Sequence, residues 1–373
     1  MAVAVRAETN GHRPALAAAD VPAAPFEHEE LVVRTGERSG AHVVVAIHST
    51  TLGPALGGVR LWPYTGALDA ERDALRLAKG MTLKAAAARL DLGGGKGVVR
   101  APEGGFTDDA RVAALLDFGD LVESLGGRYV TAEDVGITPD DMVVISQRTK
   151  HLTGLPPERG GSGDPSPVTA VGVEAAMRAS ARERFGSREL TGKRVVIVGL
   201  GHVGAGLAEL LARDECELVV SDVVADKREL ADRLGAGWID PEHALEVECD
   251  VLAPCALGGA IDADTIERLG CKVVCGAANN QLAEEPLAAE LQRRGILYAP
   301  DFIVNAGGLM SIYGEFRGYG RSRAVELARG IEETMGSVFA TARERAITPL
   351  EAAHKLARER LGEPRGVPSA GSA

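Results

Sequence analysis

The 373-residue chain is predicted to fold as a two-domain α/β protein whose second domain is a doubly wound parallel sheet. Three observations predict this. Short apolar runs alternate with helical segments over residues 194–298, the rhythm of strands joined by crossover helices. A strand runs into "GLGHVG" (199–204) and a helix leaves it. The stretch "PPERGGSGDPSP" (156–167), rich in Pro, Gly and Ser, separates this half from an earlier α/β half.

The elements follow in order. Residues 1–24 are expected to be a disordered tail, because Asp20 and Pro22 break their apolar run and exclude a signal-peptide core. "EELVVRTG" and "AHVVVAIHS" predict a hairpin about the polar turn "GERSG". "DAERDALRLAKGMTLKAAAARL" (69–90) has helical apolar spacing, with Gly80 as a weak point. Gly93-Gly94-Gly95 is expected to form a glycine turn. "DDARVAALLDFGDLVESLGG" (108–127) is an amphipathic helix stopped by its glycines, and "RYVTAEDVG" (128–136) a short strand entering a loop. A long helix covers 166–185. Strands then enter the glycine loop, end at Asp222, and recur in "DVLAPC", "KVVCGA" and "GILYAP". From about Asn305 onward the chain is helical.

A net charge of −12 disfavours nucleic acid and anionic membrane as main partners. No run of about 18 apolar residues occurs, so no transmembrane helix is predicted and a cytoplasmic protein is expected. Cys216, Cys249, Cys255, Cys271 and Cys275 lack CxxC spacing and are expected as free, mostly buried thiols. Cys271 and Cys275 are expected on one strand face. No HExxH or other metal-ligand pair occurs among the histidines, so no metal is expected.

Gly199, Gly201 and Gly204 form GxGxxG between a strand and a helix. The first permits a tight turn, the second lets the backbone approach a pyrophosphate, and the third lets helix and strand pack closely. Leu200, His202 and Val203 fill the rest of the loop. Asp222 ends the next strand, where a carboxylate accepts the ribose hydroxyls of NAD and repels the extra phosphate of NADP. Lys227 stands near enough to soften that preference. An NAD-binding Rossmann domain is therefore expected over 156–340. A substrate domain is expected over 25–155, completed by 341–373.

Two lysines mark the first half. Lys84 sits in an alanine-rich stretch, and Lys96 directly follows the three glycines. Burial and a neighbouring cation both depress a lysine pKa. A lysine so tuned exchanges protons near neutrality, while one left charged clamps a carboxylate. Asp134, at a strand-to-loop junction, is suited to hold an ammonium group or relay a proton. This set fits an anionic substrate whose reacting carbon also exchanges protons.

Eight blocks carry a resemblance that runs in order from about residue 30. They are "GPALGGVR" (53–60), "KGMTLK" (79–84), "LGGGKGVV" (92–99), "RYVTAEDVG" (128–136), "PSPVTAVGV" (165–173), "GLGHVG" (199–204), "GAANNQLA" (276–283) and "YAPDFIVNAGGL" (298–309). In these blocks the chain resembles the amino acid dehydrogenases acting on glutamate, leucine, phenylalanine and valine, and most closely the leucine/valine/phenylalanine branch. The resemblance implies reversible oxidative deamination of an L-amino acid by NAD and water to a 2-oxo acid and ammonia. It implies that Lys84, helped by Asn305, binds the substrate carboxylate, that Lys96 is the catalytic base, and that Asp134 assists proton transfer at the amine. It further implies cofactor contacts from Arg60, Thr169, the 199–204 loop, Asp222, Ala278 and Asn279. A homo-oligomer is expected. Residues 316–331, basic and glycine-bearing, depart from the family pattern.

Leu56 in "PALGG" and Ala132 in "TAEDVG" resemble the pocket positions of the leucine and valine enzymes. No cation stands beside Leu56 to hold a second carboxylate, which disfavours glutamate. Branched aliphatic substrates are favoured, with phenylalanine as the alternative. A catalytically silent NAD-binding regulator stays open as a second alternative. A 2-hydroxy acid dehydrogenase is disfavoured, because no histidine sits in a comparable base position.

Overall fold

A computed structural model describes residues 27–362. The tail expected over residues 1–24 lies outside them, as does the chain beyond residue 362.

The first unit contains β1 (Glu30–Thr35), β2 (His42–Ser49), β3 (Ala55–Trp62), α1 (Ala67–Ala87), β4 (Gly93–Arg100), α2 (Asp108–Ser124), β5 (Tyr129–Glu133) and α3 (Pro139–Ser146). Its sheet runs β1-β2-β4-β3-β5. β1 and β2 form the expected hairpin, β2 is antiparallel to β4, and β3 is parallel to both β4 and β5. Successive residues of β2 face opposite sides, as a strand's period of two requires. Val43, Val45 and Ile47 meet Leu115, Phe118 and Leu121 of α2. Val44 and Ala46 meet Ala70, Ala74 and Ala78 of α1. The sheet is therefore covered on both faces, which explains the unbroken apolar run of β2.

Two expectations fail here for one reason. The three glycines are not a turn: they open β4, so Lys96 is a strand residue. The segment 55–62, not anticipated as a strand, is β3. Glycine is a poor strand former in isolation, but here packing requires it. A Cβ on Gly94 would lie 2.1 Å from the backbone nitrogen of Thr82 in α1. Gly94 and the alanine stripe of α1 are two sides of one close contact, and in β3 a Cβ on Gly57 would lie 1.8 Å from the Gly95 carbonyl. α1 also runs unbroken through Gly80.

The second unit contains α4 (Ser166–Phe185), β6 (Arg194–Val198), α5 (His202–Leu211), β7 (Glu217–Ser221), α6 (Arg228–Leu234), β8 (Gly237–Trp238), β9 (Cys249–Pro254), β10 (Cys271–Val274), α7 (Leu287–Arg293) and β11 (Leu297–Tyr298). Helices α8 (Asp301–Val304), α9 (Gly307–Arg317), α10 (Arg321–Arg329), α11 (Ile331–Arg345) and α12 (Pro349–Leu361) follow. The sheet is wholly parallel in the order β11-β10-β9-β6-β7-β8. The order reverses between β6 and β9, so a crevice opens at their carboxyl ends, where ligands bind in such sheets. Two-residue β8 is too short to carry a sequence period and was not anticipated.

β6 buries Val195 and Ile197 against α4 and α5, and Val196 in a separate cluster with Leu252 and Leu291. The cysteines are free. Cys271 and Cys275 do not share a strand face: β10 ends at Val274, and the two side chains pack in different clusters. α12 begins with a capping box of Thr348 and Glu351 and packs back along α1. Arg360 donates from α12 to the carbonyls of Ala85, Ala86 and Leu90 at the end of α1. The Ala85 and Ala86 carbonyls also accept the N–H groups of Leu90 and Arg89, so the guanidinium adds a second donor to the turn that closes α1. No helix among the described residues is long and apolar enough to cross a membrane.

Candidate active site

A cleft of about 420 Å³ lies between the two sheets. From the first unit, Leu56 and Arg60 of β3, Lys84 of α1, Lys96 of β4, Ala132 of β5 and Asp134 line it. From the second unit come Thr169 of α4, Val203 of α5, Asn279 and Asn305. It adjoins a larger hollow reaching His202 and shares Ala132, Asp134 and Pro165 with it. Residues far apart in the chain thus converge where strands β3, β4 and β5 meet the switch point of the second sheet.

Two polar pairs face each other in this cleft. The buried Lys96 ammonium lies 2.8 Å from Asp134 Oδ2, and the same oxygen accepts a bond of 2.8 Å from Arg60 Nε. The Lys84 ammonium donates to Asn305 Oδ1 at 2.6 Å. Asn305 Nδ2 in turn donates to Asn279 Oδ1 and to the Ala277 carbonyl, at 2.9 and 3.1 Å.

Burial shifts Lys84, Lys96 and Asp301, while neighbouring cations decide Asp134. It pulls the Lys84 pKa from the ordinary 10.5 to about 8, against the attraction of Asp301 and with the help of the Lys96 charge. Burial also lowers Lys96; Asp134 works against that shift and Arg60 adds to it. Asp134 would be raised by its own burial, yet Lys96 and Arg60 together hold it below the usual carboxylate range. Buried Asp301 moves the other way: desolvation raises it, although the Gln281 N–H and Lys84 oppose this. The arrangement can hold an anion at Lys84 and exchange a proton at Lys96.

The glycine loop departs from β6 as expected. Gly199 has φ +102°, a value open mainly to glycine. A Cβ on Gly204 would meet the Gly199 carbonyl at 1.9 Å, so α5 packs this close only without a side chain there. Asp222 follows β7 and accepts from the N–H groups of Leu200 and Val224, at 2.6 and 2.8 Å. The carboxylate is thereby fixed beside the loop. His202 is exposed at the start of α5, 3.5 Å from Asp164.

Of the expected cofactor residues, Arg60, Thr169, Val203 and Asn279 line the cleft; the rest of the 199–204 loop, Asp222, Ala278 and Lys227 do not. Ala278 is buried behind Asn279, with its N–H on the Pro254 carbonyl. Lys227 lies in a short helical turn after β7. Sequence reasoning missed Met81, Leu309 and Ile312, which line the apolar side. It also missed Asp73 and Tyr64, which hold Arg60 from outside the cleft. A signal existed for the apolar residues: Leu77, Gly80, Met81 and Lys84 recur at helical spacing on α1, as Asn305, Leu309 and Ile312 do further on. No group of three or more potential metal ligands occurs among the described residues.

Residues 28–151 match the model of the Glu/Leu/Phe/Val dehydrogenase dimerisation domain, and residues 219–363 that of the Glutamate/Leucine/Phenylalanine/Valine dehydrogenases. The chain is 45% identical over 340 residues to a leucine dehydrogenase of Thermoactinomyces intermedius, spanning 90% of this chain and 91% of that one. It is 44% identical to a valine dehydrogenase of Streptomyces virginiae, over 91% of this chain and 95% of the other. The crystal structure of L-tryptophan dehydrogenase from Nostoc punctiforme superposes with a TM-score of 0.80 at 39% identity, covering 90% of this chain and 96% of that one.

Proposed function

The chain belongs to the Glu/Leu/Phe/Val dehydrogenase family of oxidoreductases, and from that premise we propose that it deaminates branched-chain L-amino acids reversibly with NAD. The observation that carries this reading is the opposition of two largely covered lysine pairs across one cleft, Lys84–Asn305 and Lys96–Asp134. The flanking side chains Leu56, Met81, Leu309 and Ile312 are apolar and fit an aliphatic substituent rather than a second carboxylate. Similarity to leucine and valine dehydrogenases points the same way.

In this reading Lys84 clamps the substrate carboxylate, and Asn305 orients its ammonium group. Lys96 removes a proton from the water that attacks the substrate's iminium carbon. Asp134 moves protons to and from the departing amine. General base catalysis of this kind contributes about 10²–10⁴-fold. The cleft walls limit access of other water.

NAD, when bound, supplies the hydride acceptor. The residues present fit it: the open backbone at Gly201, the close approach at Gly204 and the anchored carboxylate of Asp222 suit a pyrophosphate and an unphosphorylated ribose. Thr169 and Asn279 would contact the nicotinamide end. The division into a substrate half (25–155 with 341–373) and a cofactor half (156–340) belongs to the same proposal. So does assembly into a homo-oligomer, supported by the match to a dimerisation domain.

The test is NADH formation with leucine, valine, isoleucine, phenylalanine, tryptophan and glutamate in parallel. Highest kcat/KM with the branched substrates is expected. A maximum with an aromatic amino acid or glutamate would refute the pocket reading, and silence with all six in protein that binds NADH would refute the enzyme's proposed reaction.

A further inference from the structure

Arg60 lines the cleft with one edge of its guanidinium and leaves it with the other. Its Nε donates to Asp134 Oδ2 at 2.8 Å, and its Nη1 donates to Asp73 Oδ2 at 2.9 Å. That Asp73 oxygen also accepts the Tyr64 hydroxyl at 2.6 Å, while Asp73 Oδ1 accepts from Arg76 at 2.7 Å. Neither Asp73 nor Tyr64 lines the cleft. Both carboxylates are mostly covered, with side chains 23% exposed at Asp134 and 15% at Asp73. A chain of hydrogen bonds therefore runs from Tyr64 through Asp73 and Arg60 to the oxygen that holds Lys96.

A guanidinium held at one edge alone would be free to pivot, and its planar fork orients best when both edges are engaged. We propose that Asp73, anchored by Tyr64, is a positioning residue for the proton-transfer pair: it fixes Arg60, which fixes Asp134 Oδ2 on Lys96. Asp73 also adds to the negative charge at the lysine, after the larger influence of Asp134. The charged groups facing Lys96 are Asp134 beyond β5, Arg60 on β3, and Asp73 and Lys84 on α1. Asp73 offsets the cation next door, so deleting its charge leaves Lys96 facing Arg60 less compensated. This inference rests on the reading of Lys96 as the base.

The experiment compares Asp73→Asn and Tyr64→Phe with the unaltered enzyme, using full pH profiles of kcat/KM for leucine deamination. Loss of the Asp73 charge makes Lys96 release its proton more readily, so the acid limb moves to lower pH. Mispositioning should cost kcat roughly tenfold, within the hundredfold known for small displacements at reacting groups. KM should stay near its original value, because the Lys84–Asn305 clamp is separate. Tyr64→Phe keeps the charge; kcat should fall a few-fold with the acid limb in place. NADH binding monitors folding, and Asp73→Glu should restore most of the limb. An unmoved acid limb in folded Asp73→Asn, or an unchanged kcat in Tyr64→Phe, overturns the proposal. Failure of the underlying reading looks different: turnover would survive in Lys96→Ala.

Discussion

The Lys84 ammonium and the Asn305 side-chain carbonyl lie 2.6 Å apart although 221 positions separate them in the chain. One stands on the helix covering the first sheet, the other just beyond α8 of the second unit. The pair therefore exists only when both units are folded and apposed.

Substitution Lys84→Met should mainly weaken binding of the acid group. A hydrogen bond to a charged group contributes about 1.5–3 kcal/mol, so KM for leucine should rise roughly ten- to a hundredfold. Titration of NADH should be little altered. A KM that stays put while kcat collapses would remove Lys84 from the clamp.

Lys96→Ala should abolish measurable deamination, with a loss of roughly 10²–10⁴-fold or more in kcat, while NADH fluorescence titration stays normal. Joint loss of NADH binding would contradict the assignment, because Lys96 lies on β4, across the cleft from the glycine loop of the second unit.

The depressed value of Lys84, about 8, gives a signed proton linkage. A bound carboxylate favours the charged amine, so above pH 8 the complex holds more protons than the free enzyme. Binding of a 2-oxo acid should then take up a proton, and its affinity should fall as pH rises from about 8 toward 10. Calorimetry in two buffers of different ionisation enthalpy reads the uptake directly; proton release instead would show that Lys84 is not the group responding. For folding, the unfolded chain binds this proton up to the ordinary 10.5, so the lysine's contribution makes stability rise with pH over that window.

Asp222→Ala removes a negative charge beside the glycine loop. A like-charge contact costs ~1–4 kcal/mol between bulk water and a protein surface, so relative use of NADP should rise roughly tenfold or more. An unchanged ratio of kcat/KM for the two cofactors would clear Asp222 of the ribose site.

Gly94→Ala inserts a methyl 2.1 Å from the Thr82 nitrogen. Overpacking of this kind costs ~1–3 kcal/mol, and each kcal/mol lowers Tm by about 2–4 °C for domains of this size class. A thermal melt indistinguishable from the parent would mean that α1 can move off β4 without strain.

Much of this site was legible before any coordinates. Lys84, Lys96, Asp134 and Asn305 drew attention through their small apolar surroundings and the blocks that contain them, and all four line the cleft. The glycine loop and Asp222 followed from local strand–turn–helix order. β3 and β4 stayed hidden, because their glycines answer a tertiary demand that no local propensity records: Gly94 the closeness of α1, Gly57 and Gly58 the closeness of the Gly95 and Glu133 carbonyls. Asp73 was hidden for a different reason. On a charged helix face it resembles any solvated acid, and only the return of Arg60 from β3 turns it inward.

The seating of α12 against α1 has a consequence for biosynthesis. Arg360 caps the helix that bears Lys84 by donating to Leu90 across 270 positions. On the ribosome, the first sheet emerges long before this cap does. Until α12 has been made, the nascent amino-terminal half closes the end of α1 with its own Arg89 and Leu90 N–H groups alone. A chain stalled or clipped before residue 349 would thus carry both lysines yet lack the Arg360 contacts that brace the turn after α1.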